Sequence, residues 1–227
     1  MIISRITGVL LIVVPIGFNV VFFLLQRLFE YPDILRKPTE YILTKFQAGG
    51  RRLVVLWYAF MFTGILLLPA ALLLPHLLAP GAPIFIAVTS VVGVLAALVQ
   101  VLGLIRWPFI VPHLARAYTD PGASQATRDA VGVVFQGFHR YAGVAIGEHL
   151  GYLFTSAWTI LISSCLLHTP GFPVWLGWVG LVSAFGILIG TLEEAGFKAA
   201  GAVNAISYIL WSVWMILTGI FLLRFPI

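Results

Sequence analysis

The residues best suited to chemistry lie in one short stretch of the sequence. Glu148 and His149 are adjacent, and Tyr152 follows Glu148 by four residues, which places both on one face of a helix. A desolvated carboxyl group and an imidazole can exchange protons near neutral pH, and a tyrosine hydroxyl can donate a hydrogen bond to the carboxylate. These three residues are therefore candidates to line a polar pocket.

Further polar residues interrupt apolar stretches or lie at their ends. The remaining pocket candidates are Asn19, Gln100, Glu194 and Asn204. Polar groups inside a membrane are costly unless they face protein or water, so we expect them to share one cavity with Glu148. The alternative interpretation is structural: Glu148 pairs with Arg140 or a loop arginine, and the Glu193-Glu194 pair is solvated at a helix end.

A metal or haem site has little support in the sequence. It would have to use His139 and His149 with Glu148 or Glu194, but there is no His-Glu-x-x-His pattern. The single cysteine, Cys165, offers no thiolate partner. We predict no metal site, and the sequence identifies neither a cofactor nor a catalytic residue.

Composition determines the fold class. Of the 227 residues, 61% are hydrophobic and only 9% are charged, which is typical of a chain embedded in lipid. A helix needs about 20 apolar residues to cross the hydrocarbon core. The sequence predicts a single all-α integral membrane domain over residues 1–227, with short interfacial helices in its loops. The predicted spans are 6–25, 53–74, 84–105, 143–166, 174–192 and 203–223.

The basic residues predict the orientation. Eleven of the 13 lysines and arginines lie in the first, third and fifth connections, and the other two are Arg5 and Arg224. Cytoplasmic loops near spans retain Lys and Arg. We therefore expect these three connections in the cytoplasm and both termini on the opposite side.

Local patterns predict how the loops and the fourth span pack. Thr39 is positioned to cap an interfacial helix that ends at Gly49-Gly50, and residues 124–141 form an amphipathic helix with apolar Val131, Val134, Phe135 and Phe138 on one stripe. Glycines at 143, 147 and 151 form a ridge that lets another backbone approach, which predicts a central fourth helix. Tryptophans such as Trp57 and Trp107 are expected at the membrane interfaces.

Three segments carry a resemblance to a known family. Residues 31–38 (YPDILRKP), 46–50 (FQAGG) and 147–152 (GEHLGY) resemble a family of small six-helix bacterial membrane proteins catalogued as a domain of unknown function. The resemblance implies a six-span bundle over nearly the whole chain and a bacterial source. It implies no activity, because the family has no assigned function. The distinctive first segment makes Asp33 and Arg36, together with Arg140, candidates to close over the cytoplasmic mouth of the pocket.

Two kinds of function fit these features. The favoured one is a multi-pass protein of the bacterial inner membrane without an enzymatic motif, either an accessory subunit of a membrane complex or a binder of a lipophilic ligand. The alternative is a small transporter or intramembrane enzyme that uses Glu148 and His149. The predicted partners are the lipid bilayer with either other subunits or a lipophilic ligand, and no nucleic acid, because no soluble domain is present to bind it.

Overall fold

The structure is a computed structural model that describes residues 1–225. This part of the chain is helical and contains no β-strand. Its α-helices are α1 (Ile2–Phe29), α2 (Thr39–Leu78), α3 (Pro83–Leu104), α4 (Arg106–Thr119), α5 (Gln125–Phe138), α6 (Gly151–Leu166), α7 (Val174–Ile189) and α8 (Ala200–Arg224). Two 3₁₀ turns, Asp33–Arg36 and Gly190–Leu192, and a π-helical segment, His139–Leu150, complete the helical elements.

Six helical stretches are long and apolar enough to cross a membrane, which confirms the predicted all-α six-helix class. They are Ile2–Phe29, Thr39–Leu78, Pro83–Thr119, Gln125–Leu166, Val174–Leu192 and Ala200–Arg224. The second, third and fourth are much longer than the predicted spans, because amphipathic loop segments continue the helices at one end of the bundle.

The membrane-spanning helices pack side by side in a closed ring. In order around the ring, α1 contacts α2, α2 contacts α3, α3 contacts α6, α6 contacts α7, α7 contacts α8, and α8 returns to α1. The fourth span is therefore one member of the ring, between α3 and α7, and not the central helix that its glycine ridge predicts. The ridge itself makes the close contact expected of it, which is described with the site below.

The two extra helices, α4 and α5, lie together at one end of the bundle and pack on α2. We call this end, which carries residues 30–50, 106–142 and 190–200, the mouth end. Ser124 caps α5 by accepting a hydrogen bond from the backbone N–H of Thr127 at 3.1 Å. On the predicted stripe of α5, Val131 and Phe135 are buried, whereas Val134 and Phe138 are exposed.

Aromatic residues at the mouth end form a buried core. Trp57 and Trp107 are fully buried and stack face to face, with ring centroids 4.5 Å apart and an interplanar angle of 9°. The Phe29 ring packs edge-to-face with both indoles, with ring centroids 6.1 Å from Trp57 and 5.4 Å from Trp107. Both tryptophans are therefore enclosed by protein, because α4 folds back against α2 and covers them. Their position at the membrane interface stays a prediction.

Helix α2 changes direction at Gly50, where φ is 52° and ψ is −143°. This positive φ requires a glycine, so the predicted stop at Gly49-Gly50 appears as a kink between an interfacial segment and the span. Thr39 does not cap the segment. The N-cap is Pro38, and the Thr39 hydroxyl instead accepts a hydrogen bond from the amide of Gln136 at 2.7 Å, which ties α2 to α5.

Candidate functional site

A cavity of about 1220 Å³ occupies the mouth end of the ring. Its wall combines side chains of every α-helix except α7 and of the π-helical segment with those of the turns that follow α1 and α7. The charged and amide side chains on the wall are Asn19, Arg36, Lys37, Gln100, Arg106, Gln136, Arg140, Glu148, Glu193, Glu194, Lys198 and Asn204. The aromatic ones are Phe18, Phe22, Tyr31, Phe60, His139, His149, Tyr152, Phe197 and Tyr208.

The π-helical segment His139–Leu150 presents Glu148 and His149 to this cavity. A π-helical turn is wider than an α-helical turn and occurs frequently at functional sites. The segment is held against α3 by Gly147, since a Cβ placed on Gly103 would lie 2.5 Å from the Cα of Gly147. This backbone contact fixes the position of the neighbouring Glu148.

Glu148 is half-buried and belongs to none of the three ion pairs formed among residues 1–225. The predicted alternative, in which Arg140 neutralises Glu148, is absent from this structure. Arg140 lies instead 3.8 Å from Glu194 at the exposed rim. The Glu148 carboxyl group is thus available to the cavity.

Arg106 is the most enclosed charged side chain of the cavity wall, with 7% of its surface exposed. Its Nη1 donates a hydrogen bond to the carbonyl oxygen of Gly103, at the end of α3. Its guanidinium lies 5.2 Å from the ring centroid of Trp107, and a Cβ on Gly143 would approach its Nη2 to 2.5 Å. Only a glycine at position 143 leaves room for this arginine.

A layer of interhelical hydrogen bonds lies below the cavity and closes its floor. The amide of Asn19 donates to the hydroxyl of Ser212 at 3.0 Å, which joins α1 to α8. Gln100 donates to the Thr155 hydroxyl at 3.1 Å and joins α3 to α6. Farther from the mouth, the indole of Trp211 donates to Thr159 at 2.8 Å.

Beyond these bonds the interior is tightly packed and mainly apolar, with a few buried hydroxyl groups such as that of Ser163. Trp158 and Trp214 are buried there, with ring centroids 6.2 Å apart in an edge-to-face arrangement. They belong to a core cluster that also includes Leu11, Leu67 and Ile162. The cavity is therefore a vestibule that opens at the mouth end and stops within the bundle.

The rim of the vestibule is crossed by an ion pair between Arg36 and Glu193, with 2.9 Å between Nη2 and Oε1. The 3₁₀ turn Asp33–Arg36 that carries Arg36 is anchored by Ile34, which is fully buried. Asp33, by contrast, is exposed and lies outside the cavity wall. Of the two residues predicted to close the mouth from this turn, the structure places only Arg36 there.

Tyr31 sits on the cavity wall beside the turn. Its enclosure raises the pKa of the phenol above its ordinary value, and the Glu148 carboxylate raises it further, while the positive charge of Arg106 opposes the shift. The phenol therefore stays protonated and keeps its ability to donate a hydrogen bond into the cavity.

The structure brings most of the predicted site residues together. Every predicted pocket residue lies on the cavity wall: Asn19, Gln100, Glu148, His149, Tyr152, Glu194 and Asn204. Asn204 is in addition a packing residue, because its amide donates to the Ile187 carbonyl of α7 at 3.0 Å. The functional role of these residues stays a prediction.

Sequence reasoning missed many wall residues, among them Tyr31, Arg106 and Tyr208. For Arg106 a signal existed: it follows the apolar run of α3 directly and precedes an amphipathic segment that begins with Trp107. For Tyr208, the spacing of four residues from Asn204 on one helix face was the available signal.

Within residues 1–225, no three His, Cys, Asp or Glu side chains are arranged to hold a metal ion. The fold and the cavity define the class of protein: a multi-pass integral membrane bundle with a polar vestibule at one end. The chain belongs to the family described as Domain of unknown function (DUF4386), whose family model matches residues 6–224. No curated protein and no solved structure matches the chain.

Proposed function

We propose that this protein binds a lipophilic small molecule with a polar end group in the vestibule. The observation that carries the proposal is the cavity itself, about 1220 Å³ in volume and lined by aromatic rings with a few convergent polar groups. Sites for small ligands in proteins have this composition and a comparable size. The closed floor favours binding over passage through the bundle.

The proposed setting is the bacterial inner membrane, with the mouth end in the cytoplasm and both termini on the other side. The distribution of basic residues supports this orientation, since all three connections that contain eleven of the 13 lysines and arginines meet at the mouth end. The bacterial source rests on the resemblance of residues 31–38, 46–50 and 147–152. A ligand-holding accessory subunit of a larger membrane complex is one form of this function.

A cavity-filling variant tests the proposal. Ala205 lies on the cavity wall, whereas the next residue, Ile206, is 69% exposed on the outside of α8. The side chains of neighbouring helical residues point ~100° apart. Ala205→Phe should therefore fill the vestibule, and Ile206→Phe is a matched control that adds the same ring to the lipid-facing surface.

The measurement is native mass spectrometry of each protein released from membranes. We expect a bound small molecule on the wild type and on Ile206→Phe, and its loss from Ala205→Phe. Copurification of the wild type with a larger complex would support the accessory role. A wild type free of any bound molecule, or equal occupancy in both variants, contradicts the proposal.

A second candidate function is proton-coupled transport, which is favoured by the position of Glu148 outside the ion pairs of the described chain. Transport requires the floor between the vestibule and the Trp158–Trp214 layer to open. Proteoliposomes test this directly: proton-driven uptake of the copurified molecule that Glu148→Gln abolishes would establish transport, and binding without uptake would reject it.

A further inference from the structure

The guanidinium of Arg106 is a buried charge on the wall of the vestibule. Only 7% of the residue is exposed, and within residues 1–225 the side chain makes a single hydrogen bond, from Nη1 to the Gly103 carbonyl oxygen. A guanidinium has five N–H donors. Most of its donor capacity is therefore unused by the protein, although the group faces a cavity.

No carboxylate of the described chain lies within ion-pair distance of this guanidinium. The three ion pairs among residues 1–225 are Arg36–Glu193, Lys45–Glu30 and Arg140–Glu194, and none includes Arg106. The carbonyl end of α3 and the face of Trp107 offer only partial negative charge. Because an enclosed charge is unfavourable without a partner, a bound anion would complete the site.

The rest of the wall is consistent with an anion. The wall carries five lysines or arginines and three glutamates: Arg36, Lys37, Arg106, Arg140, Lys198, Glu148, Glu193 and Glu194. Two of the glutamates are engaged at the rim by Arg36 and Arg140. Glu148 is the third; it forms no ion pair with Arg106 within 4.0 Å and acts on the guanidinium only at longer range.

The same cavity offers room for an apolar chain. Phe18, Phe22 and Phe60 pack together on one side of the wall, and the ring centroids of Phe18 and Phe60 are 4.6 Å apart. An ion alone would not need this aromatic surface, whereas an acyl or isoprenoid chain would bury itself against it. The two halves of the wall thus match the two halves of an amphiphile.

We propose that the ligand is an anionic amphiphile, a long-chain molecule with a carboxylate or phosphate head group, and that Arg106 binds the head group. This inference rests on the proposed ligand-binding function and names the chemical class of the ligand. The planar guanidinium fork fits two oxygens of such a head group at once. The apolar chain lies along the phenylalanine wall.

The test uses two fluorescent probes of equal chain length, 11-(dansylamino)undecanoate and its uncharged methyl ester. Binding is measured by energy transfer from the tryptophans to the dansyl group, in nanodiscs of phosphatidylcholine and with empty nanodiscs subtracted. For the wild type we expect the carboxylate probe to bind at least about tenfold more tightly than the ester, as a charge-assisted bidentate contact implies.

Variants assign this preference to one residue. Arg106→Gln should bring the affinity for the carboxylate probe down to that for the ester, and Arg106→Lys, which retains the charge without the fork, should keep part of the preference. Arg116→Gln removes an equal charge from the exposed face of α4, outside the cavity wall, and is the matched control. It should leave the ratio of the two affinities within about twofold, as expected for a screened surface charge.

Competition with anions of different chain length distinguishes a site for an amphiphile from a site for a simple anion. We expect decanoate to displace the carboxylate probe, and butyrate or inorganic phosphate to leave it bound. Equal displacement by butyrate would overturn the amphiphile and leave a simple anion site. Equal affinity of the wild type for the two probes would overturn the role of Arg106 while leaving ligand binding intact, and failure of both probes to bind would remove the proposed function itself.

Discussion

Arg36 and Glu193 form an ion pair across the rim of the vestibule, with 2.9 Å between nitrogen and oxygen, and so connect the turn after α1 to the segment after α7. The two side chains are 69% and 40% exposed. An exposed pair of this kind contributes about 0–1 kcal/mol to stability. Its importance is therefore positional, because it holds one turn over the opening.

Reversing the charge at position 36 should open the rim without unfolding the protein. In a Cys165→Ser background, a cysteine introduced at Ala205 on the cavity wall reports access through its rate of reaction with a charged maleimide. We expect Arg36→Glu to raise this rate severalfold and the exchanged pair, Arg36→Glu with Glu193→Arg, to restore it. If both variants react at the same rate as the protein with the original pair, the pair does not restrict access.

The contact between Gly103 and Gly147 makes a second prediction, which concerns stability. A Cβ on Gly103 would meet the Cα of Gly147 at 2.5 Å, and backbone atoms cannot move aside as side chains do. Gly103→Ala should therefore lower the free energy of unfolding in micelles by about 1–3 kcal/mol, the usual cost of overpacking. The added methyl group would push the π-helical segment away from α3. The two helices would then lose the close packing on which helix association in lipid depends.

Gly132, on α5, is the matched control for this substitution. A Cβ at this position has no atom within 4 Å, and alanine favours a helix over glycine by roughly 0.5–1 kcal/mol. Gly132→Ala should leave stability unchanged or raise it. Equal losses in the two variants would mean that the glycine ridge has no packing role.

The membrane fold could be predicted from the sequence because it depends on local composition. Apolar runs of about 20 residues can satisfy their backbone groups in lipid only as helices, so each run specifies its own structure. The shared location of Glu148 and Asn204 followed from alternating span direction, which requires no knowledge of side-chain contacts. These inferences needed only the order of the segments.

The rest of the site depends on contacts between distant segments. In the sequence Arg106 has the pattern of a loop charge at the end of a span, and it becomes buried only because α4 folds back and because Gly143 leaves space for it. Trp57 and Trp107 have the spacing of interfacial residues, yet they stack with each other 50 positions apart. No local pattern encodes either arrangement.

The stack of Trp57 and Trp107 should be a major source of stability at the mouth end. Trp107→Ala removes a fully buried indole and should cost roughly 3–5 kcal/mol in the free energy of unfolding. The same change at Trp178, which is 58% exposed, should cost less than about 1 kcal/mol. A double-mutant cycle with leucine at positions 57 and 107, which removes the rings, isolates the ring–ring interaction, expected at about 0.5–1.5 kcal/mol.

The end of α1 should make stability depend on pH. Glu30 accepts hydrogen bonds from the Lys45 ammonium and from the Tyr41 hydroxyl at 3.0 Å, and these donors, Lys45 foremost, hold the pKa of its carboxyl below the ordinary value. A lowered pKa means that the folded protein favours the carboxylate. The resulting stabilisation is fully present above the pKa of the unfolded chain and disappears as the pH falls through the folded pKa.

Thermal unfolding of the wild type and of Glu30→Gln at pH 6 and at pH 3 measures this contribution. The wild type should be the more stable of the two at pH 6, and the difference should shrink at pH 3, because the stabilisation disappears as the pH falls through the lowered pKa of the folded chain. Glu40→Gln serves as the control, because Glu40 is exposed and takes part in none of the ion pairs of residues 1–225. If Glu30→Gln lowers stability equally at both pH values, the carboxylate is not the source of the effect, and the loss reflects the altered shape of the helix end instead.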